Sequence, residues 1–236
     1  MTSRTFLLTA LLGGLCLAVS LCTAVVQAQG TVKDAGDGHL GILAYGSLID
    51  DPGDEIAAAT SHRKKMTTPF SIEFGRSSGT RGGAPTLVPV AAGGAPVNAV
   101  LLVLKDSVSE DDAASMLWRR ETRSTDSTKR YIPPKRPGPN NVLVESVKIG
   151  GVTILYTDFA DAGKLKSPTA EQLAKFAVTS AGNPRVPDGR DGISYLISAE
   201  KAGIKTPLMP GYEKEILRIT GTATLEEALA KTKAGR

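Results

Sequence analysis

Leu40-Gly41-Ile42-Leu43-Ala44-Tyr45-Gly46-Ser47-Leu48, residues 40–48, sets the reading of the whole chain. Leu40 to Tyr45 is an apolar run of strand length, and the turn signal Asp51-Pro52-Gly53 follows shortly after it. A Gly-Ser pair at a strand end lets consecutive backbone N–H groups point outward, which makes a nest for an oxyanion or a carboxylate. The same residues also read as an ordinary strand-to-loop turn. They do not read as a serine-hydrolase elbow, because Tyr45 stands where that motif needs glycine and His62 is the only histidine downstream.

Outward from this strand, Phe70, Ile72 and Phe74 alternate with Ser71 and Glu73, the period of a half-buried strand. Thr86 to Val90 and Val97 to Leu104 follow, the second nearly continuous in apolar residues as a central strand is. Val142 to Ile149 and Val152 to Asp158 are joined through Gly150-Gly151, a two-residue hairpin signal. One helix starts at Ser109, which with Asp112 makes a capping-box-like pair, and runs through Ala113, Met116, Leu117 and Trp118. Another starts at Ser167-Pro168 and stops at Gly182, and Asp191 to Ala202 and Tyr212 to Ile219 are shorter ones. Strands first, helices interspersed later and no internal repeat predict one α+β domain. The expected boundaries are a signal peptide over 1–28, a short polar leader over 29–38, the domain over 39–225 and a C-terminal tail over 226–236.

The 236 residues, 41% of them hydrophobic and 22% charged, suffice for a sizeable core and exclude a disordered chain. The 28 Lys and Arg exceed the 24 Asp and Glu by only +4, spread along the chain, so no nucleic-acid partner is expected. Arg4, the uncharged run Phe6 to Val26 and the Val26-Gln27-Ala28 site predict export with cleavage after Ala28, to a periplasmic or extracellular place and with no membrane attachment afterwards. An uncleaved anchor is the rival reading of that run. Cys16 and Cys22 both lie inside it, so the mature domain has no disulfide, no cysteine zinc site and no cysteine nucleophile.

Few other residues carry chemistry. Gly75-Arg76-Ser77-Ser78-Gly79-Thr80-Arg81-Gly82-Gly83 lacks the ending of a P-loop, but as a flexible loop its two guanidinium groups could hold a carboxylate bidentately. A solvated hairpin loop is the competing reading. Glu121 lies one helical turn after Leu117 and two after Ala113, so it sits on or beside the core-facing stripe of its helix, where a carboxylate is usually avoided. It reads as a general acid and base, or as a helix-end ion pair with Arg119, Arg120 or Arg123. Asp50, Asp51, Asp54 and Glu55 read as a solvated acidic loop, since they miss the calcium-loop spacing. His39 and His62 make no zinc site without cysteines, and no metal is expected.

In combination these segments resemble the γ-glutamylcyclotransferase superfamily, and within it the glutathione-specific, ChaC-type branch. The matching pieces occur in family order: Leu43 to Ile49 followed by Pro52-Gly53; Ser77 through Arg81-Gly82; Leu117 with Arg120-Glu121; Glu171 to Ala174 through Gly182 to Tyr195-Leu196; then Gly203-Ile204. The resemblance implies a small mixed β-barrel flanked by helices, closed or nearly so. It implies that Tyr45, Gly46, Ser47 and Leu48, with Arg81, bind a small-molecule γ-glutamyl substrate, that Glu121 is the catalytic acid and base, and that no cofactor takes part. The implied products are 5-oxoproline and a released amine or peptide. A non-catalytic exported module that binds γ-glutamyl or other small anionic ligands is the alternative, and a cell-envelope interaction scaffold is a third.

Overall fold

The computed structural model describes residues 39–235, so the expected signal peptide and the whole of the leader lie outside the described residues. In chain order the elements are β1 (Leu40–Ala44), α1 (Asp54–Ala59), β2 (Thr60–Thr67), β3 (Ile72–Ser78), β4 (Ala84–Pro89), β5 (Asn98–Leu104), α2 (Glu110–Thr122), β6 (Val142–Ile149), β7 (Val152–Phe159), α3 (Ala170–Ala181), α4 (Gly192–Lys201), α5 (Met209–Thr220) and α6 (Leu225–Ala234). The class is mixed α+β, as expected.

Strand order in the larger sheet is β2-β5-β1-β7-β6. β1 runs parallel to β7, and the other pairs are antiparallel. Alternation on the central strands explains why they read as unbroken apolar runs. Ile42, Ala44, Leu102 and Leu104 pack with Ala113 and Leu117 of α2 and Ile56 of α1, while Leu43, Leu101 and Val103 face the other way onto Val152 and Ile154. A strand buried on both faces has no polar side to reveal its period.

β3 and β4 form a separate two-stranded ribbon. Its apolar residues Ile72, Phe74 and Leu87 are covered by Leu173, Ala177, Ile193, Leu196, Tyr212 and Ile216 of α3, α4 and α5. Here the expected closed β-barrel is corrected: among the described residues the seven strands form two sheets, and β2 and β6 remain at the edges of the larger one. The physical reason is that helices, not further strands, cover the apolar side of the ribbon. Glu73 also departs from its half-exposed reading. It is buried, and its carboxylate accepts hydrogen bonds from Thr206 Oγ1 and, at 3.0 Å, from the Leu208 N–H at the entry to α5.

The expected tail over 226–236 is likewise corrected, because α6 occupies most of it. Thr224 Oγ1 accepts from the Glu227 N–H at 3.2 Å as its N-cap, and Leu225 and Ala228 are buried in the helical core. The cap of α3 is Thr169, two residues beyond the expected Ser167. At α2 the expected cap is observed: Ser109 Oγ accepts from the Asp112 N–H at 3.1 Å and donates to Asp112 Oδ2 at 2.6 Å. Ser109→Ala is expected to cost about 1 kcal/mol, measured as a shift in the urea midpoint at unchanged slope.

Candidate active site

Helix α2 carries its buried stripe from Ala113 to Leu117, and one turn further on the stripe leaves the core and opens onto a cavity of about 710 Å³. Glu121 stands there, with 22% of its side chain exposed. Its Oε1 accepts from Arg120 Nη1 at 2.7 Å, and Oε2 has no hydrogen bond among the described residues. Arg120 in turn reaches the strand-end loop, donating from Nε to the Asp51 carbonyl at 3.0 Å. One guanidinium thus braces both the carboxylate and the loop that faces it.

That loop begins where β1 ends. Tyr45 is tied to the sheet by its hydroxyl, which donates to the Thr157 carbonyl at 2.8 Å. Gly46 then takes φ +62°, and residues Gly46–Leu48 make a single 3₁₀ turn. The Ile49 N–H closes back on the Gly46 carbonyl and the Asp51 N–H on the Ser47 carbonyl, while N–H groups at the start of such a turn have no partner within it. Leu48 anchors the turn in the core, and Ser47 lines the cavity.

Arg81 comes from the tip of the β3–β4 ribbon and is held more firmly than its glycine-rich neighbourhood suggests. Its carbonyl accepts from Ser180 Oγ at 2.6 Å, and its guanidinium lies 4.9 Å from the centre of the Tyr195 ring. The expectation of a flexible loop is therefore corrected: Gly75 to Ser78 belong to β3, and only residues 79–83 make the turn. The cavity thus brings Tyr45, Ser47, Leu48, Arg81 and Glu121 together, with Gly46 buried directly behind them.

The second guanidinium of the glycine-rich stretch also enters the cavity, with residues from elsewhere in the chain. Arg76 projects from β3, its guanidinium carbon 3.9 Å from the centre of the Phe159 ring of β7. Arg123, Arg190 and Tyr195 complete the lining. Of the helix-end arginines, Arg119 does not pair with Glu121 at all, and instead binds Glu55 and clips α1 to α2. Asp54 and Glu55 are exposed, as the solvated-loop reading had them, but they form the first turn of α1 where that reading had a loop. His39 lies 3.9 Å from Asp106 and His62 bonds Ser61, both away from the cavity.

The electrostatics of the site follow from burial and from Glu121. Burial first and the Glu121 carboxylate second hold the Tyr45 phenol well above its usual range, so it stays protonated and donating. Burial raises Tyr195 as well, while Arg81 pulls it back. Burial lowers Arg76, Arg81 and Arg190. Such a constellation can hold an anion, exchange a proton at one carboxylate and offer backbone donors to a developing oxyanion. No family model, curated protein or solved structure matches the chain.

Proposed function

We propose that this protein is an exported γ-glutamylcyclotransferase-like enzyme, a carbon–nitrogen lyase acting on a periplasmic or extracellular γ-glutamyl compound. The observation that carries the reading is the meeting of Glu121, the Tyr45–Leu48 turn and Arg81 around one cavity. In this reading the two sheets are an opened form of the family's barrel. Export rests on Arg4 and the uncharged run after it.

In the proposed reaction Arg81 holds the substrate α-carboxylate, which leaves the α-ammonium facing Glu121. Glu121 takes one proton, and the freed amine attacks the γ-carbonyl carbon to close a five-membered ring. Turn amides stabilise the oxyanion of the tetrahedral intermediate. As the old C–N bond breaks, Glu121 returns its proton to the leaving nitrogen, and the ring nitrogen gives up a second one. The amine leaves as an ammonium and 5-oxoproline remains, so protons and charge balance with no cofactor. Ring closure within one molecule supplies its own proximity advantage.

Incubation with a panel of γ-glutamyl compounds is expected to release 5-oxoproline, read by chromatography. One observation favours a second reading. The Arg120–Glu121 ion pair engages one oxygen of the carboxylate that the chemistry needs, which is how a non-catalytic binder would look. Calorimetric binding without 5-oxoproline from any member of the panel selects that binder.

A further inference from the structure

Seven ionisable side chains of fixed charge line the cavity: Arg76, Arg81, Arg120, Arg123 and Arg190 against Asp51 and Glu121. Both carboxylates are already engaged by Arg120, at 3.7 Å and 2.7 Å. Four guanidinium groups therefore share the cavity with no ion pair among the described residues. Two of them also hold buried donors without acceptors, the Nε atoms of Arg76 and Arg190. Arg76 is more than nine-tenths buried. Buried N–H groups are nearly always hydrogen-bonded, so both side chains are short of acceptors, and both line the cavity without an ion pair among the described residues.

Arg123 adds an independent sign. It ends α2 at φ +57°, its N–H closing onto the Arg120 carbonyl and that of Ser124 onto the Arg119 carbonyl. Glycine is the usual residue at such a left-handed helix end, because a side chain there is strained. An arginine stands in a backbone position that disfavours it, and its side chain lines the cavity. Its charge lies close enough to Arg81 and Arg190 to add to burial, the larger cause, in lowering their proton affinity. Mutual repulsion of this kind is relieved by a bound anion.

Resting on the cyclotransferase reading, we propose that the substrate is an acidic γ-glutamyl peptide whose leaving residue carries a second carboxylate, held by Arg123, Arg190 and Arg76. Charge counting gives the number of groups. A simple γ-glutamyl amino acid brings an ammonium, which faces Glu121, and two carboxylates, one of which takes Arg81. The other, charge for charge, leaves two of the remaining three guanidinium groups unmatched. A leaving glutamate or aspartate supplies one further anion, so that two carboxylates lie among three guanidinium groups.

The test compares γ-glutamyl-glutamate with γ-glutamyl-glutamine, which have nearly the same shape and differ by one charge. Binding is measured calorimetrically on the Glu121→Gln protein, so that the charge preference is read without turnover. The acidic peptide is expected to bind about 10- to 100-fold more tightly, the range for a hydrogen-bonded charge. Arg190→Met is expected to shrink that ratio toward one. Arg123→Gly is expected to do the same while raising Tm by about 2–4 °C, since it relieves backbone strain. A merely structural arginine would not give this opposition of stability and selectivity. Equal binding of the two peptides overturns the inference and leaves the cyclotransferase reading standing. Absence of 5-oxoproline from the wild-type protein on every γ-glutamyl compound removes that reading, and the acidic substrate with it.

Discussion

Glu121→Gln is expected to lower 5-oxoproline formation by about 10²–10⁴-fold, the usual worth of a positioned general acid and base. The amide keeps the size of the carboxylate and can still accept from Arg120 Nη1, but it cannot take a proton from the substrate ammonium. Stability is expected to change by less than about 1 kcal/mol, because the side chain lies at the cavity edge and its one ion pair is replaced by a neutral hydrogen bond. A drop in turnover together with unchanged Tm and retained binding of a γ-glutamyl peptide is the signature of chemistry at this position. Near-native turnover would instead make Glu121 a structural partner of Arg120. The parallel loss of turnover and binding would leave it as a contact in a binding site, without the proton transfer.

Glu121 was legible in the sequence because it broke a rule. A carboxylate in register with Ala113 and Leu117 conflicts with the burial pattern of its own helix, and such local conflicts concentrate where a protein trades stability for function. The Tyr45–Leu48 turn was legible for a related reason, since a glycine and a serine ended an otherwise apolar strand. Arg190 and Arg123 break no pattern of period or composition. Arg123 is brought there by the left-handed end of α2, and Arg190 by the placement of the segment just before α4, neither of which a hydrophobic period reveals.

The same contrast runs through the fold. β1 and β5 read as strands from apolar residues alone. β2 was missed because it is an edge strand carrying His62, Arg63, Lys64 and Lys65, the charged composition that keeps an edge from pairing with another chain. A register shift between Thr60 and His62 further hides its period. Glu73 was read as solvent-facing by strict alternation, whereas its acceptors are used where α5 begins, 135 residues away. No local pattern contains that pairing, and the closed barrel failed in the same way. Whether strands or helices cover a ribbon is settled by how α3, α4 and α5 dock, which local periodicity does not encode.

Gly46→Ala carries the other large expected effect, a loss of about 10²-fold in kcat/KM with about 1–2 kcal/mol of stability. Two costs act at once. At φ +62° any residue with a β-carbon is strained. The added carbon would also stand 2.8 Å from the Tyr195 hydroxyl oxygen, which a van der Waals contact does not allow. Relief requires the turn or Tyr195 to move. Tyr195 carries the Arg81 guanidinium on its ring, so either movement spoils the alignment of the turn amides, Arg81 and Glu121. Displacements of about 1 Å in such sites cost about two orders of magnitude in rate. Tyr195→Phe separates the two costs. Without the hydroxyl, the nearest ring carbon lies at an ordinary 3.7 Å from the new methyl. The double variant is then expected to regain the steric part, a coupling of about 0.5–3 kcal/mol, and to keep the backbone strain. Additive losses in the cycle would show that the clash is not the cause. Unchanged kcat/KM in Gly46→Ala alone would remove the turn from the proposed site.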